Sequence, residues 1–280
     1  MSAGKGGESI MTTRTITSTQ NPRIKRVLLL QQKSAERRRE GLFVVEGVRE
    51  LQHCIASGLE VDTLFVCEQL MPAGVSVLQL LSQCHTTQLF EVSAQVYEKI
   101  AYRATTEGVV ALVKERRLGL QDLHLSDAPL IMVLESVEKP GNLGAVLRSA
   151  DAAKADAVIV CDPLTDLFNP NLIRSSIGAL FTVPTVACSS EEAIDFLQQR
   201  GISILTAQLQ DSQLYYDTDM RRPTAIVMGT ESTGLTDRWR QAATSHIRIP
   251  MLGQLDSLNV SVSAAILLFE AVRQRQSAAV

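Results

Sequence analysis

Apolar residues in the second half of the chain occur in short uninterrupted runs, and longer segments with a helical period separate these runs. Short runs rich in valine and isoleucine are typical of strands that are buried on both faces. They predict strands over 129–134, 157–161, 202–206, 224–228 and 247–249. Apolar residues spaced three and four apart predict helices over 143–153, 171–179, 191–200 and 258–274. This alternation predicts an α/β fold with a parallel sheet that carries helices on both faces.

The first half of the chain shows the same alternation on a smaller scale. A helix is predicted over 22–39, with Asn21 as its N-cap and Pro22 at its first position. Further strands are predicted over 42–45, 63–67 and 108–113, and further helices over 46–57 and 75–84.

The polar segment 114–127 has neither period, so we place a domain boundary inside it. A chain of 280 residues is long enough for two domains. The predicted organisation is a disordered leader over 1–13, a small α/β domain over 14–118 and a larger α/β domain over 119–280.

Charge is distributed unevenly between these domains, although the net charge of the chain is only −3. Residues 1–118 carry 15 Lys and Arg against 12 Asp and Glu, whereas residues 119–280 carry 12 against 18. A basic amino-terminal domain indicates contact with a polyanion such as RNA, and a solvated charged surface is the alternative. The candidate RNA-binding residues all lie in the first predicted helix: Arg23, Lys25, Arg26, Lys33, Arg37, Arg38 and Arg39.

Several classes of protein lack their signatures in this chain. The five cysteines contain no CxxC pair and indicate reduced thiols in a cytosolic protein, and the four histidines show no metal-ligand spacing, so no metal is expected. The sequence has no apolar run long enough for a membrane span and no apolar core of a signal peptide. It also lacks the GxGxxG, GxxxxGK[ST] and GxSxG motifs of dinucleotide-binding proteins, P-loop proteins and α/β-hydrolases.

Three segments of the second half combine glycine, amide and charged residues directly after predicted strands. They cover 138–148 (EKPGNLGAVLR), 228–235 (MGTESTGL) and 249–265 (IPMLGQLDSLNVSVSAA). Ligands of open α/β sheets bind beyond the carboxyl ends of the strands. We therefore expect these three segments to contribute to one binding site.

Each segment also has an ordinary structural interpretation. Asn142 can cap the helix that follows it, and Arg148 interrupts a small apolar helix face, where a charge without an anionic partner is costly. The alternative for Arg148 is a side chain that reaches solvent or pairs with an acid. The alternative for the second segment is an ordinary strand-to-helix turn, with Thr236 as N-cap and a solvated Glu231. The alternative for the third segment is that the polar residues at 257–261 only cap the last helix.

In this order and at these separations, the three segments resemble the motifs of the SpoU/TrmH branch of the SPOUT methyltransferases. NLGAVLRSA is similar to motif 1, GTESTGL to motif 2 and IPMLGQLDSLNVSVSAA to motif 3, and the resemblance covers residues 129–275. Residues 18–115, with FVVEG at 43–47, resemble the small substrate-binding domain that often precedes this catalytic domain. That domain is similar to a ribosomal protein that binds kinked RNA. One departure is Lys139, which stands where the family often has an acid.

The resemblance implies a carboxyl-terminal trefoil knot and an obligate homodimer with an active site formed across the interface. It implies S-adenosylmethionine as cofactor and RNA as substrate. The positions that match the family's catalytic and RNA-handling residues are Arg148, Asn142, Glu231, Ser257 and Asn259. The implied cofactor-binding residues are Thr206, Ala207, Gln208, Gly229, Glu231, Ile249, Met251, Leu258, Asn259 and Val260.

The predicted function is methylation of a ribose 2′-hydroxyl in RNA by a cytoplasmic enzyme. The additional amino-terminal domain favours 23S ribosomal RNA over transfer RNA. A base methylase of the same superfamily and a non-catalytic RNA-binding protein are the alternatives. Arg148 could act as the general base, or it could bind an RNA phosphate and stabilise the developing oxyanion, and a guanidinium pKa above about 12 argues against the first role.

Overall fold

The structure is a computed structural model that describes residues 14–76, 88–102, 107–230 and 233–277. The chain divides into two units, of which the first ends at Glu115 and the second begins at Arg116. The expected leader over 1–13 and most of the helix predicted over 75–84 lie outside the described residues. None of the helices in these ranges combines the length and hydropathy that crossing a bilayer requires.

The first unit is built on a mixed five-stranded sheet. Its strands are β1 (Arg14–Ile16), β2 (Leu42–Glu46), β3 (Val61–Val66), β4 (Gln88–Val92) and β5 (Val109–Lys114). Their order is β1-β4-β3-β5-β2, in which β4 runs parallel to both neighbours and β5 antiparallel to both. Helices α3 (Val48–Ala56) and α4 (Ala94–Ile100) complete the alternation, and β1, β4 and α4 were not predicted from the sequence.

The single helix predicted over 22–39 is wrong, because the structure has two helices there. Helix α1 (Pro22–Gln32) begins as expected, with the Asn21 side chain accepting the Arg23 N–H at 2.9 Å. Lys33 is extended, with φ −119° and ψ 113°, and α2 (Ser34–Glu40) starts after it. The Arg37 side chain of α2 is buried and donates to the Leu30 carbonyl of α1 at 2.6 Å. This bond satisfies a carbonyl that the end of α1 leaves without a helical partner.

The second unit confirms the predicted parallel sheet. Its seven strands have the order β10-β12-β9-β11-β6-β7-β8, and every pair is parallel. The strands are β6 (Leu130–Glu135), β7 (Ala157–Cys161), β8 (Thr185–Cys188), β9 (Ser203–Ala207), β10 (Gln213–Leu214), β11 (Thr224–Met228) and β12 (Ser245–Arg248). The sequence did not predict β8 and β10, which are short.

Helices cover both faces of this sheet. Ile131 and Val133 of β6 share a buried cluster with residues of α8 (Ser190–Gln199) and α9 (Asp237–Ala242). Helices α5 (Pro140–Ala152) and α10 (Val260–Ser277) contact each other, and α10 also contacts β6 and β11. Since successive strand residues point to opposite faces, this explains why β6 is hydrophobic at every position except its last, Glu135.

One predicted helix of the second unit is interrupted. The segment 171–179 forms α6 (Pro170–Ser176), and α7 (Ala179–Thr182) follows as a separate turn. Ile177 between them has φ 56°, in the left-handed region that ends a helix.

Candidate active site

A cavity of about 340 Å³ lies where the carboxyl ends of β9, β11 and β12 meet the start of α10. All three strands run in one direction, so the loops that follow them converge on this edge of the sheet. Much of the wall is apolar, and it includes Met228, Leu235, Ile247 and Leu267. Volumes of this size are typical of small-molecule sites in proteins.

Most of the cofactor-binding residues named from the sequence line this cavity. They are Ala207, Gln208, Gly229, Ile249, Met251, Leu258 and Val260. Ser257, which was named as a catalytic residue, lies in the same wall. Glu231 lies outside the described residues.

The placement of Thr206 in the cofactor pocket is wrong. Thr206 is fully buried, and its hydroxyl forms a 2.6 Å hydrogen bond with Nδ1 of His246 on the neighbouring strand. Ala207, the next residue of β9, lines the cavity. Because side chains alternate along a strand, Thr206 points to the opposite face of the sheet.

Gly229 lies at a tight point of the loop between β11 and α9. A methyl group built on its Cα would overlap the carbonyl carbon and oxygen of Gly234. The Gly234 N–H donates to the Thr230 carbonyl at 3.1 Å, and the Thr233 N–H donates to the Thr230 hydroxyl, also at 3.1 Å. The loop therefore folds back on itself and presents Gly229, Gly234 and Leu235 to the cavity.

A second cavity of about 130 Å³ adjoins the first. Gly229, Thr230 and Val260 line both cavities. The remainder of the smaller cavity is formed by the segment between β6 and α5, namely Val137, Glu138, Lys139 and Asn142. The first and third sequence motifs thus meet beside the second.

Asn142 and Asn259 connect these motifs directly. The Asn259 side-chain amide donates to the Asn142 side-chain oxygen at 3.2 Å. Asn142 is not the cap of α5, because the helix begins at Pro140 and Lys139 occupies the cap position. Asn259 does cap α10, since its Oδ1 accepts the Ser261 N–H at 2.9 Å. Asn259 therefore caps α10 and also contacts a residue that lines the smaller cavity.

Arg148 differs from the expectation. Its side chain is exposed and lines neither cavity, so the cost predicted for a charge in an apolar face does not arise. Within the described part of the chain, its guanidinium makes no hydrogen bond or ion pair. Arg148 is therefore available to a group from outside its own chain.

Charged residues of the larger cavity were missed from the sequence. Arg240 of α9, Arg248 of β12 and Asp256 all line it. Nε of Arg240 and Oε1 of Gln208 are buried and have no hydrogen-bond partner among the described residues. No motif or period marks Arg240, which follows the fully buried Trp239 on a short helix.

The basic residues of α1 and α2 do not all face solvent. Arg37 is buried, so its assignment to RNA is wrong, and Arg26 pairs with Glu40 at 2.6 Å. Arg39 pairs with Glu36 and Glu40, and Arg23 lies over the ring of Phe90 at 4.8 Å. Three of the named residues are exposed and have no such partner among the described residues: Lys25, Lys33 and Arg38.

The four described cysteines, Cys54, Cys67, Cys161 and Cys188, are free thiols. In the described ranges, no cluster of three or more His, Cys, Asp or Glu has the arrangement of a metal site.

Comparison with known proteins gives two family matches. The model of the SpoU rRNA Methylase family matches residues 129–269. The model of the MRM3-like substrate binding domain matches residues 21–111.

Individual proteins are similar over nearly the whole chain. A 23S rRNA (uridine(2479)-2′-O)-methyltransferase of Streptomyces viridochromogenes is 32% identical over 278 residues, which are 97% of this chain and 96% of the relative. A crystal structure described as an RNA 2′-O ribose methyltransferase has a TM-score of 0.81 and 40% identity, with 94% of this chain and 99% of that chain covered. The AdoMet-bound rRNA methyltransferase from Sinorhizobium meliloti has a TM-score of 0.85 and 28% identity, with 93% and 98% covered.

Proposed function

The chain belongs to the SpoU rRNA methylase family, and from this premise we propose that it transfers a methyl group from S-adenosylmethionine to a ribose 2′-hydroxyl of 23S ribosomal RNA. The observation that carries the proposal is the wall of Gly229, Thr230 and Val260 that two cavities share. Methyl transfer needs the donor and the acceptor side by side and in line. Positioning of this kind lowers reaction barriers by roughly 7–11 kcal/mol.

The larger cavity fits S-adenosylmethionine. Apolar residues such as Leu235 and Leu267 suit the faces of an adenine ring, and the buried polar atoms of Gln208 and Arg240 have no partner from the described chain. When bound, the cofactor supplies an electrophilic methyl group on a sulfonium. Gly229 lets the loop that borders this cavity close on itself, because a Cβ there would overlap the Gly234 carbonyl.

The smaller cavity is the place for the acceptor ribose. Asn142 lines it and is held by the bond from Asn259, so its amide can orient a ribose hydroxyl. Ser257 contributes to the wall on the cofactor side. Lys139, which stands where relatives often have an acid, adds a positive charge beside the same cavity, where a phosphate of the RNA would be attracted.

Arg148 completes the site of a second protomer in this proposal. It is exposed and lines neither cavity of its own chain, which fits a residue that acts across an interface. There the guanidinium would bind the phosphate next to the target ribose and stabilise the charge that develops on the 2′-oxygen.

The surface of α10 supports a homodimer. Val262 and Phe269 each leave 48% of their surface exposed, and Ala265 and Ile266 lie on the same helix face. This spacing makes an apolar stripe along the helix, and large exposed apolar patches mark interaction sites.

A trefoil knot in the carboxyl-terminal part of the chain is also proposed. Its support is the strand order, since β12, which comes last in the sequence, lies between β9 and β10. In the proposed knot, the chain that contains β12 is threaded through the loop formed by the segment that connects β9 to β10.

The first unit is proposed to bind the RNA substrate in the cytoplasm. Its exposed Lys25, Lys33 and Arg38 lie on or beside two short helices and can contact phosphates. The presence of this separate substrate-binding unit favours ribosomal RNA over transfer RNA as the substrate.

The test is to incubate the protein with methyl-labelled S-adenosylmethionine and unmodified 23S ribosomal RNA, and then to digest the RNA with alkali. A methylated 2′-oxygen cannot attack the neighbouring phosphate, so we expect the label in alkali-resistant dinucleotides. Label in mononucleotides would show a base methylase instead. Label that appears only in parallel incubations with transfer RNA would show that transfer RNA, and not 23S ribosomal RNA, is the substrate. The absence of label with either RNA would contradict the proposal.

A further inference from the structure

Glu135, the last residue of β6, has a buried carboxylate that binds one residue twice. It is only 4% exposed. Its Oε2 accepts the Thr236 N–H at 2.8 Å, and its Oε1 accepts the Thr236 hydroxyl at 2.7 Å. Hydrogen bonds to an ionised acceptor are among the strong ones in proteins, particularly when two act together.

Thr236 marks the end of the loop that borders the cofactor cavity. The loop leaves β11 at Met228 and reaches the N-cap of α9 at Thr236. Gly229, Gly234 and Leu235 within it line the cavity.

The two ends of this loop are attached to adjacent residues of β6. Met228 is the pairing partner of Leu134 in the sheet, and Thr236 is bound by Glu135. The loop is therefore closed at its base by adjacent residues of one strand. Its shape depends on the Glu135 carboxylate because the other end is already fixed by the strand ladder.

We propose that Glu135 is a positioning residue for the cofactor, which through Thr236 holds Gly234 and Leu235 in the positions that bind S-adenosylmethionine. This inference rests on the proposed function for the identity of the ligand. Thr236 presents two donors to one carboxyl group. In Glu135→Gln a neutral amide replaces this acceptor, and the Thr236 hydroxyl would have to turn and accept from the new NH₂ group, so both bonds lose their charge assistance.

Asp162 offers a matched control from the same region. This residue directly follows β7, the neighbour of β6, and its Oδ2 accepts the Ser190 hydroxyl at 2.6 Å. Ser190 also contacts Glu135 at 3.3 Å and accepts from Nε1 of Trp239 at 3.0 Å. Asp162 thus belongs to the same polar cluster without touching Thr236. Asp162→Asn is mild because asparagine tolerates its left-handed conformation, with φ 47°.

Cofactor affinity should separate these variants. We would measure the Kd of S-adenosylmethionine by calorimetry for the wild type, Glu135→Gln, Thr236→Val, Thr236→Ser and Asp162→Asn. Glu135→Gln and Thr236→Val should raise Kd by about tenfold or more, whereas Thr236→Ser keeps the hydroxyl and should stay near wild type. With saturating cofactor, kcat on RNA should return towards the wild-type value.

Two further readouts keep the test decisive if a variant folds poorly or the ligand is wrong. Emission from Trp239, the single tryptophan of the chain, reports whether the buried cluster is intact. Hydrogen exchange of residues 229–236 without cofactor should be faster in Glu135→Gln than in Asp162→Asn.

Three outcomes would overturn the inference. They are a wild-type Kd for Glu135→Gln, an equal loss of affinity in Asp162→Asn, and equal exchange of the loop in both variants. A wild-type protein that binds no S-adenosylmethionine would contradict the proposed function, and the exchange comparison would still decide the role of Glu135.

Discussion

At Gly229, the lack of a side chain determines the shape of the cofactor loop. We expect Gly229→Ala to weaken S-adenosylmethionine binding strongly, because its methyl group would overlap the Gly234 carbonyl, which is backbone and cannot rotate away. Calorimetric titration would measure the loss. Gly253→Ala is the matched control, since nothing lies within 4 Å of a Cβ built there. Equal affinities of the two variants would disprove this account of the loop.

Single residues also show where sequence reasoning about the site succeeds and fails. Gly229 and Asn142, which the motifs pointed to, line the two cavities, because strand ends and turns leave a clear pattern. Thr206 was named together with Ala207 and Gln208, but only the latter two line the cavity. A run of apolar residues does not show which side chain faces which side of the strand. Arg240 gave no signal, because its place in the cavity depends on how α9 packs and not on local sequence.

At the scale of elements, Arg275 connects the end of α10 to the two segments that lead into β6 and β11. Its guanidinium donates to the carbonyls of Ala128 at 2.7 Å, Met220 at 3.0 Å, Arg222 at 3.0 Å and Pro129 at 3.2 Å. Desolvation lowers the pKa of this guanidinium, and the four carbonyl acceptors offset the cost of its burial.

We therefore expect Arg275→Met to reduce the free energy of unfolding by about 2 kcal/mol, because it removes the donor of the Ala128 and Met220 carbonyls. The carbonyls of Pro129 and Arg222 keep a donor from Thr224. Urea unfolding followed by Trp239 fluorescence would measure the change. Arg221→Met should leave the midpoint close to wild type, since the Arg221 side chain bonds only to the exposed Asp219. A midpoint for Arg275→Met that matches this control would show that water replaces the guanidinium without loss.

The two helices at the amino-terminal end carry basic residues with structural contacts and others that we propose to contact RNA. Lys33 and Arg38 are exposed, and we expect the double variant Lys33→Ala, Arg38→Ala to weaken RNA binding. The slope of log K against log salt should fall by about 1.4, since each phosphate contact contributes roughly 0.7 with single strands. Binding titrations at several salt concentrations would measure this slope.

The control for this pair removes the same charge elsewhere. Arg200→Ala, Arg238→Ala changes two exposed arginines of the second unit and should leave the slope unchanged. If the slope of log K against log salt falls equally in both double variants, RNA binding depends on the total positive charge of the protein and not on the surface formed by Lys33 and Arg38.

Element boundaries were predictable where caps and turns specify them, and not where distant contacts do. Asn21 and Pro22 fixed the start of α1 from the sequence. The break at Lys33 depends on Arg37 reaching back to the Leu30 carbonyl, which no periodicity shows. Strand β8 consists of four residues and is defined by its neighbour β7, so its own sequence gave too little pattern.

At the scale of the whole molecule, a shared active site can be tested by mixing inactive proteins. Arg148→Ala retains its cofactor cavity, and Gly229→Ala retains its Arg148. If Arg148 serves the partner's site, random mixed dimers should recover about a quarter of wild-type methylation, because half the dimers are mixed and each has one complete site. Each variant alone, refolded in the same way, is the control. A mixture that stays inactive, although differently tagged protomers of the two variants co-purify as mixed dimers, would place Arg148 in its own protomer's site.

The strand order of the second unit determines how late in synthesis the cofactor cavity can form. The first unit finishes at Glu115 and contains all the strands of its own sheet, so it can fold while the ribosome is still adding residues. The cofactor cavity needs residues from Ala207 to Leu267, and the centre of its wall, β12, is among the last strands to emerge. During translation, a nascent chain would therefore have a folded first unit long before it can bind a methyl donor. With the RNA-binding role that we propose for this unit, a chain that stalls between these stages would hold RNA without modifying it.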